Sequence, residues 1–310
     1  MRRILLWMAG NRTLRQRLPR LRFVRRAVRR FMPGEDADSA FKAAAPLAAS
    51  GQGILFTRLG ENLTSLEEAD AVAAHYRSVI EQGAALPRPV ELSVKPTQVG
   101  LDIDANACFA HLDDLAGRAE AAGTWLWLDM EGSAYVDRTL DLYERLKAHH
   151  RNVGICLQAY LRRTPVDLHR LLPLAPAVRL VKGAYDEAPE IADRKRPDID
   201  AAYQALALVM AAGIRTDEAR ARGARCALGT HDDNLVERVA TFAEAAGIER
   251  SRLEVHMLFG IRAGMLQRLA ATGMPVFTLI AYGEFWYPWY MRRLAERPAN
   301  VLFALRQLLP

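Results

Sequence analysis

The chain has 310 residues, 51% of them hydrophobic and 25% charged, a composition that can bury a full core and excludes a disordered or fibrous protein. Its net charge of +6 is uneven: the first 32 residues hold eleven arginines and no acid, leaving 31 basic against 36 acidic side chains, which excludes a general nucleic-acid surface. Cys108, Cys156 and Cys226 are far apart and form no CxxC pair, so neither a disulfide framework nor a Cys-rich zinc site is expected, and a reducing, cytoplasmic setting is the default.

In chain order, the first element is basic. Leu14, Leu18, Leu21, Val24 and Val28 recur at helical spacing between arginines and stop at Pro33-Gly34, the pattern of an amphipathic helix or pair of helices. Ile4 to Ala9 is too short for a signal h-region, although the acid-free start also has the composition of an organellar transit peptide. Residues 1–50 are therefore expected as a basic N-terminal helical segment and 51–310 as the catalytic domain. No apolar run reaches the ~18 residues that a membrane span needs.

Eight short apolar or β-branched runs follow: Ile54 to Leu59, Val90 to Lys95, Trp125 to Met130, Val153 to Tyr160, Val178 to Tyr185, Arg225 to Thr230, Leu253 to Leu258 and Val276 to Tyr282. Helical stretches separate them, Leu66 to Gln82, Ala105 to Ala122, Tyr135 to His149, Pro165 to Leu172, Ile199 to Ala221, Asp233 to Ala246 and Ala263 to Ala271, with Pro288 to Glu296 after the last. Strict alternation demands crossovers and hence parallel strands, whose buried faces read as continuous apolar runs. Eight such units predict an α/β protein with a (β/α)8 TIM barrel and an N-terminal helical extension. An open, doubly wound sheet would carry a Gly-rich first turn. Gly51-Gln52-Gly53 precedes its strand and lacks the third glycine.

In such a barrel the chemistry lies at the carboxyl ends of the strands. That rule selects Lys95, Asp129, Glu131, Gln158, Arg179, Lys182, Thr230, His231, His256 and Leu258. Cations and a carboxylate converging on one apolar mouth suggest an anionic ligand, because buried charge is costly unless it is paired or used. The plainer reading pairs Asp129 with Lys95 or Arg179 as a buried network, and makes His256 a core histidine with one hydrogen bond. The histidines show no HxH or HExxH spacing, so no metal is expected, and without a GxSxG elbow there is no serine nucleophile. The last segment, Glu284-Phe-Trp-Tyr-Pro-Trp-Tyr-Met-Arg-Arg-Leu-Ala-Glu296, sets Arg292, Arg293 and Glu296 within about one helical turn of each other beside aromatic residues. Alone they would be a solvated i,i+3 or i,i+4 pair.

Val178-Arg-Leu-Val-Lys-Gly-Ala-Tyr185, Gly229-Thr-His231, Met257-Leu258 and Tyr290-Met-Arg-Arg-Leu-Ala-Glu-Arg-Pro-Ala-Asn300 resemble, in order, the motifs of the proline dehydrogenase family. The resemblance runs from about Leu55 to Asn300 and implies a distorted (β/α)8 barrel that holds FAD without a Rossmann domain. The implied reaction oxidises L-proline, or a close cyclic secondary amino acid, to Δ1-pyrroline-5-carboxylate by hydride transfer from C5 to flavin N5, with electrons passed to a quinone. By that similarity Arg179 sits near N5, Gln158 bonds the isoalloxazine edge, and Lys182, Thr230, His231 and Glu296 hold other parts of FAD. Lys95, Arg292 and Arg293 bind the substrate carboxylate, Asp129 orients a cationic partner, and Leu258 packs on the substrate ring. One position departs from the family: Leu279 stands where a tyrosine usually lines the substrate pocket, four residues before Gly283, and Ala281 where proline is common. A barrel aldolase with Lys182 as Schiff-base lysine is the alternative from another enzyme class. With the flavoenzyme reading goes peripheral contact of the basic N-terminus with the inner face of an anionic membrane, which would deliver reduced flavin to the quinone; a third, non-enzymatic reading makes the basic arm the function and the barrel its scaffold.

Overall fold

Eight parallel strands close into a barrel in chain order: β1 (Gly53–Arg58), β2 (Glu91–Val94), β3 (Leu126–Leu128), β4 (Val153–Gln158), β5 (Ala177–Val181), β6 (Arg225–Gly229), β7 (Leu253–Leu258) and β8 (Val276–Tyr282). The seam is β8 against β1, in register from Gly53↔Phe277 to Arg58↔Tyr282. The computed structural model describes residues 5, 7–8, 11–18, 24, 28–60 and 63–296, without the side chains of Arg12, Arg15, Gln16, Arg292, Ala295 and Glu296. The helices are α1 (Arg12–Arg17), α2 (Ala37–Ala49), α3 (Leu66–Gly83), α4 (Ala105–Ala121), α5 (Val136–Lys147), α6 (Thr164–Leu171), α7 (Arg196–Gly213), α8 (Asp217–Ala221), α9 (Asp233–Ala245), α10 (Ala263–Ala271) and α11 (Trp286–Glu296).

Local chemistry sets the helix starts. The side chains of Asp36, Ser65, Asp104, Thr216 and Asp232 each accept a backbone N–H from the first turn of the helix that follows, satisfying donors that have no intrahelical partner. One of these caps corrects the expected helix from Ile199 to Ala221. Thr216 accepts from Ala219 N and restarts the chain as α8, so two helices stand where the periodicity predicts one. The run from Val178 to Tyr185 is also shorter than expected: β5 stops at Val181, and Gly183 takes φ +122 with the Tyr160 ring against it, where an added Cβ would lie 2.2 Å from that ring. Helix α2, which periodicity did not single out, covers the wall beside the seam, with Ala40, Ala44 and Ala48 buried and Phe41 edge-on to Phe56 at 4.9 Å.

The strand registers decide which side chains enter the bore, because Cα partners in a parallel pair share a face. Cys156, Arg179, Ala227 and Glu254 are linked in this way, as are Ser93, Trp127 and Gly154. Leu55, Trp127, Ala177, Ala227 and Phe277 form the apolar filling of the bore. Gly154 makes room for the Trp127 indole, which a Cβ there would meet at 2.4 Å. A separate apolar cluster joins the N-terminal segment to α11: Leu5, Val28 and Met32 are buried with Trp286, Tyr287, Tyr290 and Leu294, and Leu14, Leu18 and Val24 pack against them. The apolar stripe of the basic segment thus faces protein at these positions; Leu21 lies outside the described residues.

Candidate active site

The carboxyl ends of the strands surround a cavity of about 460 Å³. It is lined by eleven of the residues chosen from the sequence: Lys95, Asp129, Gln158, Arg179, Lys182, Thr230, His231, His256, Leu258, Leu279 and Arg293; Glu131, chosen with them, lies off the cavity and accepts from Thr97 N and Oγ1. Arg292 and Glu296 are carried by α11, but their side chains lie outside the described residues.

Each side chain is placed by the end of a strand or the turn after it. Lys95 leaves β2 buried, and among the described residues its ammonium makes no ion pair. Asp129, just past β3, accepts from Ser93 Oγ at 2.8 Å and pairs with Arg179 Nη2. Arg179 Nη2 also donates to Ser93 Oγ at 2.7 Å, so Ser93 closes a triangle with the ion pair. Of the two pairings open in the sequence, Asp129 thus takes Arg179 and leaves Lys95. Burial disfavours charge on Arg179, but the Asp129 carboxylate together with the Cys156 side chain beside it outweighs that cost and the pKa is raised. Gln158, at the end of β4, donates from Nε2 to the Glu131 carbonyl at 2.8 Å.

The other side of the mouth is organised by β5 to β7. Lys182 Nζ is held between Asp200 and Asp232, the latter at 3.0 Å, while Arg196 also reaches Asp232 at 3.3 Å. Burial raises the Asp232 carboxyl, yet Lys182 beside it prevails and holds it below the usual carboxylate range. Thr230 Oγ accepts from Asp232 N at 3.3 Å, and His231 Nε2 accepts from Leu258 N at 3.1 Å. Leu258 and Leu279 are register partners, which puts two leucines side by side at the mouth.

Sequence reasoning missed Ser93, although its position two residues before Lys95 on one strand puts both on the inner face. It also missed a charged floor. At the opposite ends of the same strands Arg225 lies 2.9 Å from Glu91 and 2.7 Å from Glu254, stacks over Trp125 at 4.4 Å, and the Trp127 indole donates to Glu91 at 2.6 Å. His256 makes the one hydrogen bond expected of it, to Glu254, but it also lines the cavity.

A closed (β/α)8 barrel whose strand ends gather Lys95, Arg179 and Arg293 against Asp129 has the architecture of a barrel enzyme for a small anionic or zwitterionic ligand. The family model described as Proline dehydrogenase matches residues 40–306, and the chain belongs to that family. Proline dehydrogenase 1 of Bacillus subtilis subsp. natto is 32% identical over 310 residues, 100% of this chain and 99% of the relative. Proline dehydrogenase of Deinococcus radiodurans is 32% identical over 286 residues, 90% of this chain and 89% of its own. Among solved structures, proline utilization A (PutA) from Bdellovibrio bacteriovorus superposes with a TM-score of 0.76 at 22% identity, covering 88% of this chain and 32% of that one, so this chain spans about a third of its length. A PutA variant from Bradyrhizobium japonicum gives a TM-score of 0.73 at 25% identity over 95% of this chain and 34% of its own.

Proposed function

We propose that the protein oxidises L-proline, or a close cyclic secondary amino acid, to Δ1-pyrroline-5-carboxylate with FAD as cofactor and a quinone as electron acceptor. The observation that carries the reading is the set of side chains at the mouth of a barrel that belongs to the proline dehydrogenase family: Lys95 and the Arg179–Asp129 pair from the strand ends, and Arg293 from α11, line one cavity. The residues present fit a flavin. Arg179 Nη1 is buried with no oxygen or nitrogen acceptor in the protein, and Gln158 lines the same cavity with the Tyr160 ring and the apolar Val181 and Leu258. An isoalloxazine needs such a donor edge and such walls.

Gln158, Arg179, Lys182, Thr230, His231 and Glu296 are the residues that would hold FAD, and FAD when bound supplies the two-electron acceptor. Lys95, Arg292 and Arg293 bind the substrate carboxylate, the arginines by planar forks that suit it better than a second lysine would. Asp129 and Ser93 fix Arg179, and Leu258 and Leu279 pack on the substrate ring and exclude water from it. The substrate nitrogen must surrender its proton before its lone pair can form the C=N bond as C5 gives up its hydride. The required form is the free amine, so kcat/KM should rise from mildly acidic to alkaline pH.

Lys182 Nζ is occupied by two carboxylates, Asp200 and Asp232, and the aldolase reading has no further support. Among the described residues no helix is long and apolar enough to cross a membrane. Delivery of electrons to a membrane quinone would fall to the basic N-terminal segment, whose arginines can each add ~1 kcal/mol at an anionic bilayer. Equal co-sedimentation of full-length and arm-deleted protein with anionic vesicles would refute that part. The main test is an anaerobic absorbance spectrum: the purified protein should be yellow and bleach on addition of L-proline. A colourless, folded preparation that stays inactive after FAD is supplied overturns the reading.

A further inference from the structure

The bore holds a line of polar contacts that runs from the floor towards the mouth. His256 on β7 is 4% exposed, with its ring edge-on to Trp127 and tilted on Phe277 at 4.6 Å. Its Nε2 lies 3.1 Å from Glu254 Oε2, and Glu254 is itself held by Arg225. Burial keeps the imidazole neutral against the pull of Glu254, which is ionised, its pKa depressed to about 2 because Arg225 and the His256 hydrogen bond together more than offset the cost of burying it. A carboxylate only accepts, so the single ring proton sits on Nε2 and Nδ1 presents a bare lone pair. That nitrogen is buried without a hydrogen-bond partner in the protein.

One donor nearby has the complementary deficiency. Arg179 spends Nη2 on Asp129 and Ser93, while Nη1 is buried with no oxygen or nitrogen acceptor. Arg179 and His256 line the same cavity and flank the same indole, the guanidinium carbon and the imidazole centroid each 5.4 Å from a Trp127 ring centroid. On β6 between them the inward residue is Ala227, in register with Arg179 on one side and Glu254 on the other. A buried donor and a buried acceptor, each costly if left unmatched, thus face a common space.

We propose that His256 is a positioning residue for Arg179: its Nδ1 lone pair receives the Arg179 Nη1–H through one ordered water, and Glu254 holds the ring in the tautomer that exposes that lone pair. The guanidinium is then pinned at both Nη nitrogens, by Asp129 and Ser93 on one side and by His256 on the other, and the second of the two Nη1 hydrogens is left for the flavin edge. Only the effect on turnover rests on the functional reading above; the tautomer and the contact do not.

Asparagine places its amide where Nδ1 stands and glutamine where Nε2 stands, so the two substitutions separate the two bonds. His256→Gln keeps a donor for Glu254 and loses the acceptor; it should lower kcat about tenfold with KM for proline little changed, and His256→Asn should recover most of that loss. A purely structural role through Glu254 predicts the reverse order and overturns the proposal. The second readout needs neither substrate nor turnover. In arginine-labelled protein the Arg179 Nη1–H signal, assigned by its loss in Arg179→Lys, should resist solvent exchange in wild type and His256→Asn and exchange faster in His256→Gln. Equal exchange in all three overturns the contact. If wild type turns over no proline while the exchange pattern holds, the functional reading fails and the positioning stands. Should either variant fail to fold, the nitrogen spectrum of histidine-labelled wild type decides: a buried imidazole protonated at Nε2 alone supports the assignment, and a proton on Nδ1 overturns it.

Discussion

The two ends of the bore use the same residue types to opposite effect. At the floor, Arg225 is matched by Glu91 and Glu254, and Trp127 and His256 take up further carboxylate lone pairs. At the mouth, Arg179 is matched by Asp129 but keeps a donor in hand, and Lys95 has no carboxylate among the described residues. Burial alone does not separate the two, since Arg179, Lys95 and Glu91 are all under a tenth exposed. What separates them is whether the charges close on one another or leave capacity for a ligand. In a barrel the floor reads as stability and the mouth as chemistry.

The largest effect expected from that contrast lies at the floor. Arg225→Met should cost about 3–5 kcal/mol of folding stability in urea unfolding, because two carboxylates are left buried and facing each other. Replacing Glu91, Arg225 and Glu254 together by apolar residues should restore much of it. The contrast breaks if Arg179→Met destabilises as much, for the mouth would then be structural too. Lys95 sharpens it from the other side. Lys95→Met should leave stability unchanged or slightly raised while KM rises roughly tenfold to a hundredfold, the equivalent of a lost charged hydrogen bond of ~1.5–3 kcal/mol.

Acid should separate the outer wall from the bore. His75 on α3 donates to or accepts from the Tyr282 hydroxyl at 2.8 Å, and desolvation, helped by the Arg58 charge, lowers its pKa from 6.5 to about 4. The unfolded chain therefore takes up a proton that the folded one refuses between those values, and the stability present above pH 6.5 is lost as pH falls towards 4. Allowing for partial exposure of the ring, that loss is about 1–2 kcal/mol. Glu254, depressed from 4.5 to about 2, adds a second loss at lower pH. His75→Gln should flatten the upper part of the urea midpoint against pH and leave the lower part; an unchanged profile would assign the upper step to His256.

The eight strands were legible because a strand buried on both faces must be a continuous apolar run, and their polar ends were legible because such runs rarely tolerate charge. Nine of the ten residues chosen on that logic line the cavity, and Glu131 turns instead to Thr97. The floor escaped it. Glu91 and Arg225 open their strands, where a charge reads as the end of a loop, and only the registers of β5 to β7 show Arg179, Ala227 and Glu254 side by side. Helix α8 escaped for a different reason: Thr216-Asp217-Glu218 is a start signal inside an otherwise periodic stretch, and the periodicity hid it. The split between a helical segment over 1–50 and a barrel over 51–310 remains a proposal, and α2 packs directly on β1 and β8.

The smallest effect concerns Leu279, and it tests whether the mouth reads its ligand by shape as well as by charge. Leu279 lines the cavity beside Leu258, where the family resemblance implies a tyrosine. Neither Tyr282 nor Tyr287 replaces that ring. Tyr282 is on the opposite face of β8, bonded to His75 and edge-on to Phe56, and Tyr287 is buried in the cluster under α11. A leucine there leaves space and removes a hydroxyl, so ring-substituted or larger cyclic amino acids should be tolerated better. A methylene of fit is worth only ~1–3 kcal/mol, so the change belongs in ratios of kcat/KM and not in loss of proline oxidation. Measured on wild type and Leu279→Tyr, the ratios for proline, 4-hydroxyproline and pipecolate should move towards proline in the variant while thermal stability stays put. Ratios that do not move would mean that the ring of the substrate never meets β8, and that charge at Lys95 and the arginines alone selects the ligand.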